Sequence, residues 1–481
     1  MVKSQYFFLR KNNKIYFASE IKAFLSLDYN PKANLKVWYD YLINSQTDNS
    51  RDTFFKNIFQ LLPGEYAILK NKKINFRRWY DLKSNLKKKV FSSNTLQILK
   101  KLSNSAKICS RADVDQAISL SGGLDSNVLL GLYAKNKFLK KIPKTFSVEF
   151  GKDFSEKKLF ILSHKKFKNK FKTLNFSKDD MLKSLSPTIW HLESPSGGLM
   201  NLALAKVCSY IKSEGIKIIQ DGTGLDEIFG GYEIHHLAFL AELKRKSKKE
   251  FEKSLNLFSK NWGYSKFESL KKVENYNSPF AKTIDGYEVN KDNVFTKFFL
   301  KQSKQKSKKN LTYKESMIDF TSKSKIPRNN RLKDRVSMAF GVELRLPFLD
   351  HELVESALSL KGKQYFYNGE SKSVLRKAVK NLIPEKIRTH KKISIQSPQN
   401  IWLKSKKVQS FINEIIYSES FKKRNVFNHK KVKKLWQNFK ENKTNTSFFI
   451  WQIINLELWF RIFIDSNHFK NEKRFKLNFK K

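Results

Sequence analysis

Ala117-Ile118-Ser119-Leu120-Ser121-Gly122-Gly123-Leu124-Asp125-Ser126 decides how this chain is read. An apolar run ends in paired glycines and Val128-Leu129-Leu130 follows at once, so the stretch reads as a buried strand, a tight turn and the start of a helix. Glycine pairs let backbone N–H groups approach an anion closely, and a helix start adds unpaired N–H groups and the positive end of its dipole. Asp125 suits a phosphate that carries Mg²⁺, because hard divalent cations prefer carboxylate oxygens. The loop therefore points to Mg-ATP, although no Gly-Lys-Ser/Thr follows the glycines and the Walker A pattern is absent. Read alone, the same residues suit a plain tight turn equally well.

Two further segments extend the pattern. Gly215-Ile216-Lys217-Ile218-Ile219-Gln220 reads as another short buried strand, followed by Asp221-Gly222-Thr223-Gly224-Leu225-Asp226-Glu227-Ile228-Phe229-Gly230-Gly231-Tyr232. Two strand-ending glycine loops, each with an aspartate, can face one cation from the carboxyl edge of a parallel sheet, where open α/β sheets bind ligands. The third segment, Asp334 to His351, sets charges beside apolar residues and by itself reads as a salt-bridged helix and turn.

In this order the three segments resemble the synthetase domain of glutamine-dependent asparagine synthetases, with β-lactam synthetases as near relatives. The first matches that family's pyrophosphatase loop, the second its Ser-Gly-Glu-Gly-x-Asp-Glu-x-Phe-Gly-Gly-Tyr signature except at Asp221 and Thr223, and the third matches almost throughout. The likeness runs from about Tyr6 to the Trp459 region.

The chain has 481 residues, beyond the size at which single cores usually stop growing, and 40% of them are hydrophobic, enough for ordinary globular cores. Cys109 and Cys208 form neither a CxxC pair nor part of a histidine cluster, so a disulfide framework and a zinc site are excluded and a reduced, cytoplasmic setting is expected. Met1 to Tyr6 lacks the apolar stretch of a signal peptide. Ser447 to Ile464 is interrupted by Gln452, Asn455, Glu457 and Arg461, so it reads as a buried helix and not as a membrane span. A formal charge of +51 attracts polyanions, yet the lysines are spread along the whole chain without a single-strand-binding pattern, and no specific nucleic-acid partner is expected.

Residues 1–82 read as mostly β, with hairpins over Tyr6–Leu9/Ile15–Ala18 and Glu65–Leu69/Ile74–Tyr80. Phe17 to Ala23 and Leu62 to Tyr66 resemble the closing part of the family's glutaminase domain, so this section is expected to be the remnant of a glutaminase-type domain. Val2 stands where a nucleophile would be needed and cannot form a thioester, so glutamine hydrolysis is not expected of the chain as given. An incomplete gene or late start is the favoured explanation; a separate glutaminase partner and an ammonia-dependent ligase are the others. Residues 83–94 read as a linker, 95–470 as the ATP-binding ligase domain and 471–481 as a basic tail. Alternation of helix and strand from Thr95 implies an α/β fold with a parallel sheet covered on both faces, of the adenine-nucleotide α-hydrolase type, ending in a helical C-terminal part.

The resemblance implies attack of a carboxylate on the α-phosphorus of ATP, release of pyrophosphate, and displacement of AMP by ammonia. It implies that Ser121, Gly122, Gly123 and Ser126 hold pyrophosphate, that Asp125 and Asp226 hold Mg²⁺, and that Ser119, Val148, Asp221 and Gly222 lie at the adenine and ribose. Lys391, in Arg388-Thr389-His390-Lys391-Lys392, would meet developing phosphate charge, with Lys392 as the unresolved alternative. Glu193 matches an acidic position near the amino-acid substrate, and Asp226 would also face it. Arg335, Glu343, Arg345 and Asp350 would build the scaffold beneath. Thr223 replaces the family's glutamate and brings neither charge nor basicity, with Asp221 a candidate substitute. The expected function is an asparagine-synthetase-type ligase taking ATP, Mg²⁺, aspartate or another carboxylate and ammonia, with a homodimer compatible. The rivals are an amidotransferase for another carboxylate and a non-catalytic homologue.

Overall fold

Alternating apolar and polar residues at the front of the chain fold into antiparallel β structure. The computed structural model describes residues 5–27, 29–88, 94–276, 294–302, 311–391, 397–465 and 475–479. Strands β1 (Phe7–Lys11), β2 (Lys14–Ala18) and β3 (Ile58–Gln60) pair in the order β2-β1-β3, while β4 (Glu65–Lys70) and β5 (Lys73–Arg78) make a separate hairpin. Asn12 and Asn13 turn the first hairpin with φ of 49° and 56°, the left-handed pair that a two-residue loop between twisted strands requires. Phe17, Ile68, Leu69 and Trp79 remain exposed on this section.

The main sheet is parallel, in the order β10-β9-β6-β7-β8, built from β6 (Gln116–Ser119), β7 (Lys144–Glu149), β8 (Phe171–Asn175), β9 (Ile218–Gln220) and β10 (Glu343–Arg345). Consecutive residues of β6 point to opposite faces. Ala117 packs with Leu204, Cys208 and Ile211, and Ile118 packs with Leu129, Leu130 and Phe160, so both faces are covered by helices. The chain lays down β6, β7 and β8 to one side, then crosses back to place β9 and β10 on the other. That reversal opens a crevice at the carboxyl ends of β6 and β9.

The Asp334–His351 stretch departs from its sequence reading. Its centre, Glu343–Arg345, is an edge strand: Leu344 is buried between layers while Glu343 and Arg345 pair with each other at 2.9 Å, a charge-apolar-charge alternation too short to show as periodicity. The scaffold charges separate into three arrangements. Arg345 donates to the Cys109 carbonyl at 2.9 Å, Asp350 caps the His351–Leu358 helix, and Arg335 pairs with Glu20 at 2.9 Å. The stretch read as a linker opens with a helix, Leu82–Lys88, whose Asn85 donates to Glu355 at 3.0 Å.

The C-terminal helix Ser447–Phe463 ties the front of the chain to the rest. Trp459 meets Trp38 at 5.3 Å and Phe55 at 4.8 Å between ring centroids, and Gln452 donates to the Tyr41 carbonyl at 2.8 Å. On the same helix Trp451 donates to Gly197 O at 2.6 Å, so one element holds both sections. Asp48 and Arg331, whose side chains are both buried, add a bidentate ion pair at 2.5 and 3.0 Å across that boundary. Of the expected basic tail, Phe475 stacks on Trp190 at 4.9 Å.

Truncating Trp38, which has no exposed surface, to alanine removes a large ring from a shared core and should cost about 3–5 kcal/mol. Denaturant unfolding should stay a single transition shifted to lower midpoint. A separate early transition confined to the front section, with the main transition unmoved, would show that the two do not share a core.

Burial also holds three imidazoles neutral. His235 and His236 are held at about 3, and His191 is held at about 4 by burial and then by the Lys22 ammonium. A histidine whose folded value lies below its unfolded value, about 6.5, takes up a proton on unfolding, so its stability contribution is full above that value and is lost as pH falls through the window. Stability should therefore drop between pH about 6.5 and about 4 by about 1.4 kcal/mol per pH unit for each histidine. Denaturant titrations at pH 7.5, 6 and 5 check this, and equal stability at all three pH values would contradict it.

Candidate active site

The glycine loop after β6 and the glycine loop after β9 meet in backbone contact. A Cβ added to Gly222 would lie 2.9 Å from the Asp125 carbonyl carbon and from the Ser126 nitrogen, so only glycine permits the approach. Within the first loop, Ser126 Oγ accepts from the Ser121 N–H at 3.0 Å and lies 3.1 Å from Ser121 Oγ, and Asn127 donates to the Gly123 carbonyl at 2.8 Å. The loop is thus shaped by its own side chains. The Gly122 N–H is already taken by an anion, donating to the Glu156 carboxylate at 2.9 Å.

Around this contact lies a cleft of about 630 Å³. Its lining includes Ser119, Ser121, Gly122, Gly123, Asp125, Ser126, Val148, Asp221, Gly222, Thr223, Asp226 and Lys391, residues from four separate stretches of sequence. Its size is that of a site for a nucleotide-sized molecule. Glu193 is elsewhere. It is buried at the boundary with the front section, where it accepts from the Lys22 backbone N–H at 2.6 Å and lies 3.5 Å from Arg335. Lys392 falls outside the described residues.

Charged side chains that the motifs did not mark also line the cleft, among them Lys372, Lys333, Arg376 and Glu156. Lys372, at the start of the Ser373–Ala378 helix, reaches Asp125 Oδ1 at 2.5 Å and Asp226 Oδ1 at 2.6 Å. Arg376 donates to the Ser371 carbonyl at 3.0 Å and to the Arg388 carbonyl, tying the lysine's own turn to the segment that presents His390 and Lys391. Lys333, from the Lys325–Met338 helix, reaches Asp221 at 2.9 and 3.0 Å and Thr223 Oγ1 at 2.7 Å, and Thr223 donates both N–H and hydroxyl to Asp221 at 2.8 and 2.5 Å.

The electrostatics follow from these contacts. Burial pushes the Asp221 carboxyl up, but the Lys333 ammonium and the Thr223 hydrogen bonds outweigh it and hold it below the usual carboxylate range. Asp221 is accordingly a fixed anion and a poor base. Glu227, buried and accepting from the Tyr232 hydroxyl at 2.7 Å, is raised by burial and then by the neighbouring Asp226 charge. Among the described residues no group of three or more His, Cys, Asp or Glu side chains could hold a metal. Asp125 and Asp226 fit the other mode of Mg²⁺ binding, in which one or two carboxylates act together with substrate phosphates and water. Among the described residues no helix is long and apolar enough to cross a membrane.

Glycine loops and paired aspartates thus meet at the reversal of a parallel sheet, and comparison with known proteins gives this arrangement a family. The asparagine synthase family model matches residues 97–461, and a glutamine amidotransferase domain model matches residues 2–80. The chain belongs to the asparagine synthase family. It is 24% identical to asparagine synthetase [glutamine-hydrolyzing] 1 of Bacillus subtilis over 96% of this chain and 74% of that protein. It is also 25% identical to amidase chyE of Penicillium rubens, over 83% of this chain and 67% of that protein.

Gly222→Ala puts a Cβ 2.9 Å from the Asp125–Ser126 backbone and should force the two loops to shift apart, while leaving the buried faces of β6 and β9 intact. Affinity for Mg-ATP should fall by about tenfold or more, about 1.4 kcal/mol, with the circular dichroism spectrum unchanged. Unaltered affinity in calorimetry would show that this contact does not shape the cleft.

Proposed function

We propose that the chain is an ATP-dependent ligase that adenylates a carboxylate in this cleft and passes the acyl group to ammonia, with aspartate as the first acceptor to test. The observation that carries the proposal is the meeting of the Ser121–Ser126 loop and the Asp221–Asp226 loop in one cleft, with Lys372, Arg376 and Lys391 around it.

Activation is needed because a carboxylate resists attack by an amine. A carboxylate oxygen attacks the α-phosphorus, the bond between that phosphorus and the β-bridging oxygen breaks, and pyrophosphate leaves with the electron pair. Ammonia then attacks the acyl carbon, AMP departs, and a proton is lost from nitrogen. The Ser121 and Ser126 hydroxyls are donors for the pyrophosphate, joined by the Gly122 N–H once phosphate oxygens displace the Glu156 carboxylate, and Lys391 is the cation that meets its growing charge. Mg²⁺, held by Asp125 and Asp226, would neutralise phosphate charge. Ser119, Val148 and Gly222 are assigned to the nucleoside, as the family resemblance suggests.

The corner formed by Thr223, Asp221 and Lys333 favours a second reading of the acceptor. Thr223 lacks basicity and Asp221 is locked to Lys333, so neither is available to take a proton from the incoming amine. A corner closed in this way fits a carboxylate other than aspartate. The amidase-named relative is in keeping with such variety.

Ammonium-supported release of AMP and pyrophosphate, screened over aspartate and other carboxylates, tests the proposal. Asp125→Asn should lower the rate by about 10²-fold or more with any acceptor, as expected for loss of a group aimed at reacting charge. Lys333→Met should alter the acceptor KM and leave that for ATP unchanged. Undiminished turnover in Asp125→Asn would remove the mechanism, and absence of turnover with every carboxylate in the native chain would favour a non-catalytic homologue.

A further inference from the structure

Lys372 stands where a divalent cation would have to stand. Its ammonium lies 2.5 Å from one carboxylate and 2.6 Å from the other, and its side chain is 3% exposed. The backbone at Lys372 is left-handed, with φ of 58° and ψ of 29°, a conformation that costs a non-glycine residue energy and that clusters at ligand clamps. Gly231 provides room for the lysine stem, since a Cβ there would fall 2.4 Å from Lys372 Cε and 1.9 Å from Asp226 Oδ1. Three separate features therefore specify one ammonium between two carboxylates.

We propose that Lys372 is the resident counter-ion of the Asp125–Asp226 pair, that it keeps divalent cations out of the nucleotide-free cleft, and that metal enters only together with a polyphosphate. The physical argument is a competition. One ammonium and one divalent cation need the same two oxygens, and two carboxylates without further ligands hold Mg²⁺ poorly, because that ion prefers six oxygens and gives up water reluctantly. With Lys372 in place the contest favours the ammonium, which is already desolvated and tethered. A bound polyphosphate reverses it by bringing further oxygens for the metal and new acceptors for the displaced ammonium. The lysine then becomes a phosphate-positioning residue, and the ion pair of the resting state is a lock opened by the nucleotide.

The inference rests on the reading of this cleft as an Mg-nucleotide site, but its test needs no turnover. Mn²⁺ alone is titrated into the full chain while the electron paramagnetic resonance signal of the free ion is followed. The native chain should hold Mn²⁺ at this site no better than about millimolar, and a nonhydrolysable ATP analogue should make one site appear that binds about tenfold or more tighter. Lys372→Met, which keeps the stem and removes the charge, should gain about tenfold or more in affinity for Mn²⁺ without the analogue. Adding Asp125→Asn to that variant should abolish the gain. Native protein that binds Mn²⁺ alone as tightly as with the analogue overturns the proposal, even if Lys372→Met fails to fold, and leaves the ligase reading standing. A native chain that holds no Mn²⁺ with the analogue present overturns the proposal and the nucleotide reading beneath it.

Discussion

Backbone contact between two loops is the constraint on which the site depends. The turn after β6 and the turn after β9 touch through Gly222, and this is feasible because the strands are neighbours at the point where the sheet's winding reverses. Once that contact exists, Asp125 and Asp226 face each other, and two facing anions in a partly buried cleft require a cation. Lys372 provides it. Removing the lysine would leave repelling charges, and removing either carboxylate would leave a buried ammonium half satisfied.

A second dependency runs through the C-terminal helix. The β-rich front section exposes Phe17, Leu69 and Trp79, yet it buries Phe7, Trp38 and Phe55 in a core that includes Trp459 and Phe463. Its attachment is reinforced by Asp48–Arg331 and by the Lys22–Glu193–Arg335 cluster. Charges here join sections of chain. Glu193, which the family likeness associates with substrate, sits in this cluster and not in the lining of the cleft.

Legibility in the sequence followed the physical range of each signal. The β6 turn could be read because strand, glycine pair and helix are adjacent in the chain, and the same holds for the Asp221–Asp226 loop. The strand Glu343–Arg345 was hidden because three residues are too few for a period, and its two charges mimic a surface turn. Lys372 and Lys333 carried no local mark among 95 lysines and arginines. Each is defined by partners more than 100 residues away, and only folding brings them together. A left-handed backbone at Lys372 is likewise invisible in a Glu-Ser-Lys-Ser stretch. That Asp221, the candidate substitute for the missing glutamate, is paired with Lys333 was equally invisible in the sequence.

Isotope transfer tests the central claim most directly. The carboxylate acceptor is labelled with ¹⁸O, incubated with the chain, ATP, Mg²⁺ and ammonium, and the nucleotide products are analysed by mass spectrometry. Adenylation predicts one ¹⁸O in AMP, because the oxygen that attacks the α-phosphorus stays with it when the amide forms. Label in inorganic phosphate, with ADP in place of AMP, would contradict the account.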